Sequence, residues 1–133
     1  MNQYNLSDIK LEKADILPSG DLPQSSHIAI GHTCITTKRC QAMKMILQPQ
    51  AETSPEPSNE HRGCEQWLFV VSGKGVATIG KTHKRLRRIE LRDQSLLLIE
   101  KGELHKIKNT GRKQLVTINF YVPPAYDESG EPL

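Results

Sequence analysis

The sequence has few cysteines, no long apolar run and no apolar N-terminal segment. Its three cysteines, Cys34, Cys40 and Cys64, are odd in number and form no Cys-x-x-Cys pair, which is typical of a protein kept in a reducing cytoplasm. No run of apolar residues approaches the roughly 20 that a membrane-spanning helix needs. Residues 1–20 lack the charged-then-apolar order of a secretory signal. We therefore expect a cytoplasmic protein with no membrane segment.

The length of 133 residues predicts a single domain. Apolar residues make up only 36% of the chain, which indicates a modest core flanked by polar ends. We divide the chain into an N-terminal arm over 1–26, a folded part over 27–124 and a polar tail over 125–133. The arm either lies across the domain or is disordered, and the tail is expected to be loose because Pro123 and Pro124 stop the last strand.

Short β-rich segments separated by glycine and proline follow each other along the folded part. They predict strands over residues 26–37, 41–48, 67–71, 76–79, 81–91, 95–99, 105–109 and 114–122. Gly102 precedes the seventh of these and suits a turn that requires positive φ. The pattern by itself indicates an all-β protein, either a barrel or a sandwich.

Five basic residues lie close together in the fifth predicted strand and the turn before it. No aromatic residue is interleaved among them to stack on bases, so a solvated, charged sheet edge is the better interpretation than a nucleic-acid surface. We expect no nucleic-acid partner, and we expect His83 to lie on the surface. The five residues are Lys81, Lys84, Arg85, Arg87 and Arg88.

The rest of the chain is organised around residues 59–75, where a polar loop containing His61 leads into a continuous apolar strand. Side chains alternate along a strand, so Gln66, Leu68 and Val70 face one way and Trp67, Phe69 and Val71 the other. Both faces are largely apolar and should be covered. For the Trp67 face, we expect a homodimer to provide the cover, with the N-terminal arm as the competing explanation.

These residues resemble the first motif of the cupin superfamily, G-x5-H-x-H-x3-4-E-x6-G. Asn59-x-His61 reproduces its first half and Gln66-x6-Gly73 its second half. Asn59 stands where the first histidine would be, and Gln66 stands in place of the glutamate. Glu65 offers an alternative alignment for the glutamate.

A second stretch resembles the second cupin motif, G-x5-P-x-G-x2-H-x3-N. Gly102, His105 and Asn109 fall on its spacing, while Gln94 and Glu100 replace the first glycine and the proline. Residues 65–73 and 93–111 are also similar to the cupin domain of the mannose-6-phosphate isomerase type II group. The resemblance covers residues 41–122 and implies an all-β fold, a small jelly-roll barrel of two antiparallel sheets. Leu68, Val70, His105 and Ile107 would then line its interior.

The resemblance also implies a metal site, because cupins typically hold a divalent metal with three histidines and a glutamate. Carried over to this sequence, the ligand set becomes Asn59, His61, Gln66 and His105, with Glu65 as a substitute ligand only if it turns inward. Two imidazoles suit Fe, Mn, Ni, Zn or Cu, whereas amide oxygens are weak, neutral ligands. The alternative is that His61 and His105 are hydrogen-bonded pocket residues in a barrel that has lost its metal. Asn109 is expected to hold a turn.

Two functions remain open at this point. The first is a metal-dependent enzyme, a dioxygenase, isomerase or epimerase acting on a small polar metabolite or sugar. The second is a non-catalytic cupin that binds or senses a small molecule, which the amides at Asn59 and Gln66 favour. The similarity to the sugar-phosphate isomerase group implies a carbohydrate ligand in either case. No residue identifies the ligand, and no catalytic residue can be assigned. Cys64 is expected to be a buried or idle thiol, and His27 and His32 match neither motif.

Overall fold

The structure is a computed structural model that describes residues 29–59, 61–127 and 132–133, with the side chains of 29–34 left out. The predicted N-terminal arm and His27 therefore lie outside the described residues. Eight strands follow one another along the chain: β1 (Ala29–Thr36), β2 (Gln41–Leu47), β3 (Glu65–Ser72), β4 (Gly75–Gly80), β5 (Leu86–Leu91), β6 (Leu96–Ile99), β7 (Leu104–Asn109) and β8 (Leu115–Val122).

The strands form two antiparallel sheets. The larger has the order β1-β2-β8-β3-β6 and the smaller the order β5-β4-β7. The described residues contain no helix, so the predicted all-β jelly-roll fold is confirmed. It follows that no helix in the described part of the chain is long and apolar enough to cross a membrane.

The core lies between the two sheets and follows the two-residue period of the strands. Leu68 and Val70 on β3 and Ile107 on β7 are at most 1% exposed, as expected for interior positions. Together with residues of the other strands and of the segment after β2 they form one continuous apolar cluster: Met45, Leu47, Ala51, Leu68, Val70, Ala77, Ile79, Leu91, Leu97, Ile99, Ile107 and Leu115.

The opposite face of β3 remains partly open to solvent. Trp67 on β3 and Phe120 on β8 are directly paired in the register and are 36% and 40% exposed. Leu96 on β6 extends the strip and is 62% exposed. The outer face of the larger sheet therefore carries a strip of large apolar side chains. Of the three residues predicted to need cover, Trp67 is in this strip, Val71 is 39% exposed and Phe69 is half-buried.

Two predicted boundaries are wrong. The fifth strand was expected over 81–91 but begins at Leu86, because residues 81–85 form the turn that joins β4 to β5. In that turn the Arg85 N–H donates to the Thr82 carbonyl at 3.1 Å. The basic cluster is exposed and β5 is the edge of its sheet, so the predicted charged edge is confirmed.

The second wrong boundary is the start of the loose tail. Ala125 and Tyr126 are only 2% and 4% exposed, because the Gln41 side chain holds their backbone. Its Oε1 accepts the N–H groups of Ala125 and Tyr126 at 3.1 and 3.0 Å, and its Nε2 donates to the Tyr126 carbonyl at 2.9 Å. Residues 123–126 therefore pack against one end of the barrel.

Candidate functional site

The two motifs meet where the polar loop before β3 runs beside the start of β7. Ser58 and His105 exchange two backbone hydrogen bonds, at 3.1 and 2.9 Å. Before β7, the chain turns at Gly102, whose φ of +82° is a conformation that glycine adopts without strain. The Glu103 carbonyl after this turn accepts from Asn59 Nδ2 at 3.0 Å and from His105 Nδ1 at 3.2 Å. The Glu103 carbonyl thus holds one residue of each motif, Asn59 of the first and His105 of the second.

Asn59 positions the loop that carries His61. Its Oδ1 accepts the His61 N–H at 2.9 Å in an Asx turn, while its Nδ2 is used by Glu103. The Cys64 N–H then donates to the His61 carbonyl at 3.0 Å. Both ends of the Asn59 amide are therefore occupied, and the loop is turned so that His61 points into the barrel end.

The His61 imidazole is buried within a cluster of aromatic rings. Its centroid lies 5.1 Å from that of His105, 5.0 Å from that of Tyr121 and 6.2 Å from that of Tyr126, with edge-on geometry to both tyrosines. Such edge-to-face packing is favourable for aromatic rings. The predicted pair His61 and His105 is thus brought together in one place.

Gln66 reaches the same place from β3 and is fixed by a chain of buried polar groups. Its Nε2 donates to Asn119 Oδ1 at 2.7 Å, Asn119 Nδ2 donates to Thr117 Oγ1 at 3.0 Å, and that hydroxyl donates to the Met45 carbonyl at 3.0 Å. The Gln66 Oε1 atom makes no hydrogen bond with the described residues, although the Gln66 side chain is close enough to His61 to act on its pKa. His61 Nδ1 is likewise buried and has no hydrogen-bond partner among the described residues.

Burial shifts the titration of both histidines. Desolvation, and then the neighbouring His105, lower the pKa of His61 from 6.5 to about 4, against smaller opposing effects of the backbone and of the Gln66 side chain. Desolvation also lowers the pKa of His105, although the Glu103 carbonyl and carboxylate oppose the shift. Both imidazoles are therefore neutral at pH 7. Since a carbonyl only accepts, His105 Nδ1 is the donor to Glu103, and its Nε2 is left with a lone pair.

The other residues predicted for the site lie elsewhere. The Glu65 side chain is on the outer face of β3, where its Oε1 accepts from Trp67 Nε1 at 3.0 Å. Asn109 holds the turn after β7, as expected, donating to the Leu47 and Lys113 carbonyls and accepting the Gly111 N–H. Cys40 and Cys64 are free thiols, and burial raises the pKa of Cys64. His83 is exposed, as expected, and the side chain of His32 is outside the described set.

Four residues of the site are absent from the motifs. Tyr121 and Tyr126 form walls around His61, Asn119 holds Gln66, and Gln41 holds the segment that contains Tyr126. A cavity of about 500 Å³ opens beside them and is lined by the His61 loop, residues 123–125 and Leu133. In β8 the buried residues Thr117, Asn119 and Tyr121 alternate with positions that are half-buried or exposed. The two-residue period of this strand was the one signal in the sequence that could have grouped them on the interior face.

Comparison with solved structures shows the same fold in proteins of low sequence identity. The cupin domain of Cnp3 from Schizosaccharomyces pombe superposes with a TM-score of 0.68 at 13% identity, covering 92% of this chain and 70% of that one. The capsular polysaccharide assembling protein CapF from Staphylococcus aureus superposes with a TM-score of 0.64 at 21% identity, covering 81% of this chain and 31% of CapF.

Sequence comparison gives a relative and a family. The uncharacterized protein YrkC from Bacillus subtilis is 29% identical over 65 residues, which are 48% of this chain. The match spans 35% of YrkC, about a third of that protein's length. The family model described as "Cupin domain" matches residues 43–121, which is more than half of the chain and includes both motifs. The chain therefore belongs to the cupin-domain family.

Proposed function

We propose that this cupin binds a small polar molecule and that His61, His105 and Gln66 recognise it. The observation that carries the proposal is a pair of buried polar atoms, His61 Nδ1 and Gln66 Oε1, that have no hydrogen-bond partner in the described part of the chain. Each such atom costs about 1–3 kcal/mol when it is left unpaired. A ligand that hydrogen-bonds to both would remove that cost, so the pocket is prepared for a polar group.

The chemistry of the two atoms restricts the ligand. Gln66 Oε1 only accepts, so the ligand must provide an O–H or N–H donor. The neutral imidazole of His61 donates or accepts, depending on its tautomer. A hydroxyl group can satisfy both atoms, and the tyrosine rings offer apolar walls to the carbon skeleton that carries it. A carbohydrate or polyol is the class of ligand that fits best.

A metal site fits these residues less well. The available donors are two imidazoles and one amide oxygen, since Asn59 is occupied by hydrogen bonds and Glu65 faces outward. The described residues contain no group of three or more His, Cys, Asp or Glu side chains that could hold a metal ion. All three donors are neutral, so none of them offsets the charge of a divalent cation. We therefore propose that Asn59 positions the His61 loop and is not a metal ligand. We also propose ligand binding, rather than metal-dependent catalysis, as the function of the site.

Acid–base catalysis without a metal is also less well supported than binding. A general base works best when its pKa lies near the working pH. The pKa of His61, at about 4, lies well below that range. The unprotonated ring is better suited to hydrogen bonding than to proton transfer. Cys40 and Cys64, the two cysteines whose side chains are described, are free thiols, as expected in the reducing cytoplasm that we propose as the location.

The test is a titration with neutral sugars and polyols (glucose, mannose, inositol and glycerol), followed by NMR of the His61 ring and the Gln66 side-chain amide. Binding should shift both sets of resonances. The Gln66 amide should no longer shift in His61→Ala, and the His61 ring should no longer shift in Gln66→Ala. His83→Ala, which removes an exposed histidine, is the matched control and should bind normally.

Metal analysis of freshly purified protein completes this test. We expect far less than one divalent ion per chain. A stoichiometric metal that is lost in both His61→Ala and His105→Ala would overturn the proposal in favour of the metal-dependent enzyme.

A further inference from the structure

Arg87 lies on the interior face of the smaller sheet, in the same row as His105. Ile79 on β4 is directly paired with Arg87 on β5 and with His105 on β7. Directly paired residues of neighbouring strands project to the same side of a sheet, and Ile79 is fully buried in the core. Ile89, two residues beyond Arg87, packs against the core as the alternation requires. Arg87, Ile79 and His105 therefore form one row on the interior face of the smaller sheet, and Arg87 is its charged member.

The Arg87 side chain is exposed, and no charged residue of the described ranges pairs with it. β5 is an edge strand of its sheet, so no further strand lies beyond Arg87. The Arg87 side chain is exposed, although its neighbour Ile79 in the same row is buried. Within the described part of the chain Arg87 forms no ion pair, whereas Glu52 pairs with Lys106 and Lys108. An interior-facing position normally carries an apolar residue. A guanidinium at this position is thus available to an anion that enters the barrel end.

The facing row of the larger sheet contains Gln66. Gln66 is directly paired with Tyr121 on one side and with Ile99 on the other. His61 joins the two rows, since its ring contacts both His105 and Tyr121. Neighbouring strands lie about 4.8 Å apart, so the backbone of Arg87 is about 10 Å from that of His105 across β4. Arg87 is thus two strands away from His105, whose ring contacts that of His61.

We propose that Arg87 binds the anionic end of the ligand, a carboxylate or phosphate group, while a hydroxyl of the same molecule pairs with Gln66 and His61. The guanidinium fork matches either anion with two parallel hydrogen bonds. Glu103, whose charge acts on His105, does not compete for Arg87, because its Oε1 accepts the Glu100 N–H at 2.8 Å. The inference rests on the proposed function and narrows the ligand to hydroxy acids, sugar acids or sugar phosphates.

The experiment uses inorganic phosphate and acetate as probes, with chloride at the same ionic strength as the reference. NMR follows the Arg87 Nε–Hε resonance and the rings of His61 and His105 during the titration. Arg88→Gln is the matched control, because Arg88 is the adjacent exposed residue and pairs with Thr78 in the register, on the outer face of the same strand.

We expect phosphate or acetate to bind wild type and Arg88→Gln equally and to bind Arg87→Gln at least tenfold more weakly. A response to phosphate alone identifies a phosphoryl ligand, and a response to acetate alone identifies a carboxylate ligand. Equal binding by Arg87→Gln and Arg88→Gln, or no response beyond that to chloride, would overturn the inference.

Two further variants separate this inference from the proposed function. His61→Ala and Gln66→Ala should lose binding of neutral sugars and polyols but keep the Arg87-dependent response to anions. If the binding of neutral ligands depends on His61 but the binding of anions does not depend on Arg87, the anion site is wrong and the proposed function stands. If the binding of anions depends on Arg87 but the binding of neutral ligands depends on neither His61 nor Gln66, the proposed function is wrong and the anion site stands.

Discussion

The side-chain N–H of Gln66 donates to Asn119 Oδ1 at 2.7 Å, and this bond determines which end of the Gln66 amide faces His61. The direction is imposed from the far end of the chain of groups, where the Met45 carbonyl can only accept. Thr117 must therefore donate to Met45 and accept from Asn119, which leaves Asn119 Oδ1 to accept from Gln66. The consequence is that the carbonyl oxygen of the Gln66 amide, and not its N–H, is the buried end without a partner among the described residues.

Replacing only one of the two hydrogen-bonded residues should lower the free energy of unfolding more than replacing both, because the remaining polar group is then buried without a partner. Asn119→Leu leaves the Gln66 N–H buried and unpaired, so we expect it to lower the free energy of unfolding by about 1–3 kcal/mol. Adding Gln66→Leu removes the unpaired group, so the double variant should be more stable than the sum of the two single changes predicts. Urea unfolding of wild type, the two single variants and the double variant measures this coupling. If the free-energy changes of the two single variants simply add up to that of the double variant, the prediction is wrong.

The free energy of unfolding should fall as the pH is lowered from 7 to 4. The folded-state pKa of His61 is about 4, below its usual 6.5, so between these values the unfolded chain binds a proton that the folded chain does not. The stability from burying the neutral ring is complete above pH 6.5 and is lost as the pH falls through about 4. The lowered pKa of His105 acts in the same direction. For His61 the loss is about 3 kcal/mol.

The measurement is urea unfolding at several pH values for wild type, His61→Gln and His83→Gln. The first variant should show a flatter profile than wild type, and the second, which changes an exposed histidine, should match wild type. A wild-type profile that is flat between pH 7 and 4 would show that the buried rings do not control acid stability.

The sequence was sufficient for the parts of the fold that depend on local pattern. The alternation of side chains along the strand predicted the interior positions of β3, and the spacing of the two motifs predicted that His61 lies beside His105. The residues that complete the site come from contacts distant in sequence, which no local pattern encodes. Asn119 meets Gln66 across 53 positions, and Gln41 holds Tyr126 across 85. The row that unites Arg87 with His105 likewise requires the strand order β5-β4-β7.

A homodimer that covers the outer face of the larger sheet is the next prediction. Trp67, Phe120 and Leu96 form an exposed apolar strip there, and association would remove this area from water. Phe120→Lys places a charge in the strip, beside Trp67, and should yield monomers in sedimentation, whereas Arg88→Gln, on the other sheet, should leave the dimer intact. If wild type sediments only as the 15.0 kDa species at micromolar concentration, the strip is covered in another way.

The last prediction is that Gln66→Glu converts the pocket into a better metal site. The change restores a carboxylate beside His61 and His105 and adds the anionic ligand that the wild-type set lacks. We expect the affinity for Mn²⁺ or Ni²⁺ in titration calorimetry to rise at least tenfold over wild type, and we expect His61→Ala in the Gln66→Glu background to abolish the gain. Glu65→Gln is the control: its carboxylate lies on the outer face and is hydrogen-bonded to Trp67, so metal affinity should not change. Equal affinities for wild type and Gln66→Glu would mean that the donors do not converge on a common point, whereas tight binding by wild type would show that the neutral amide suffices as a ligand.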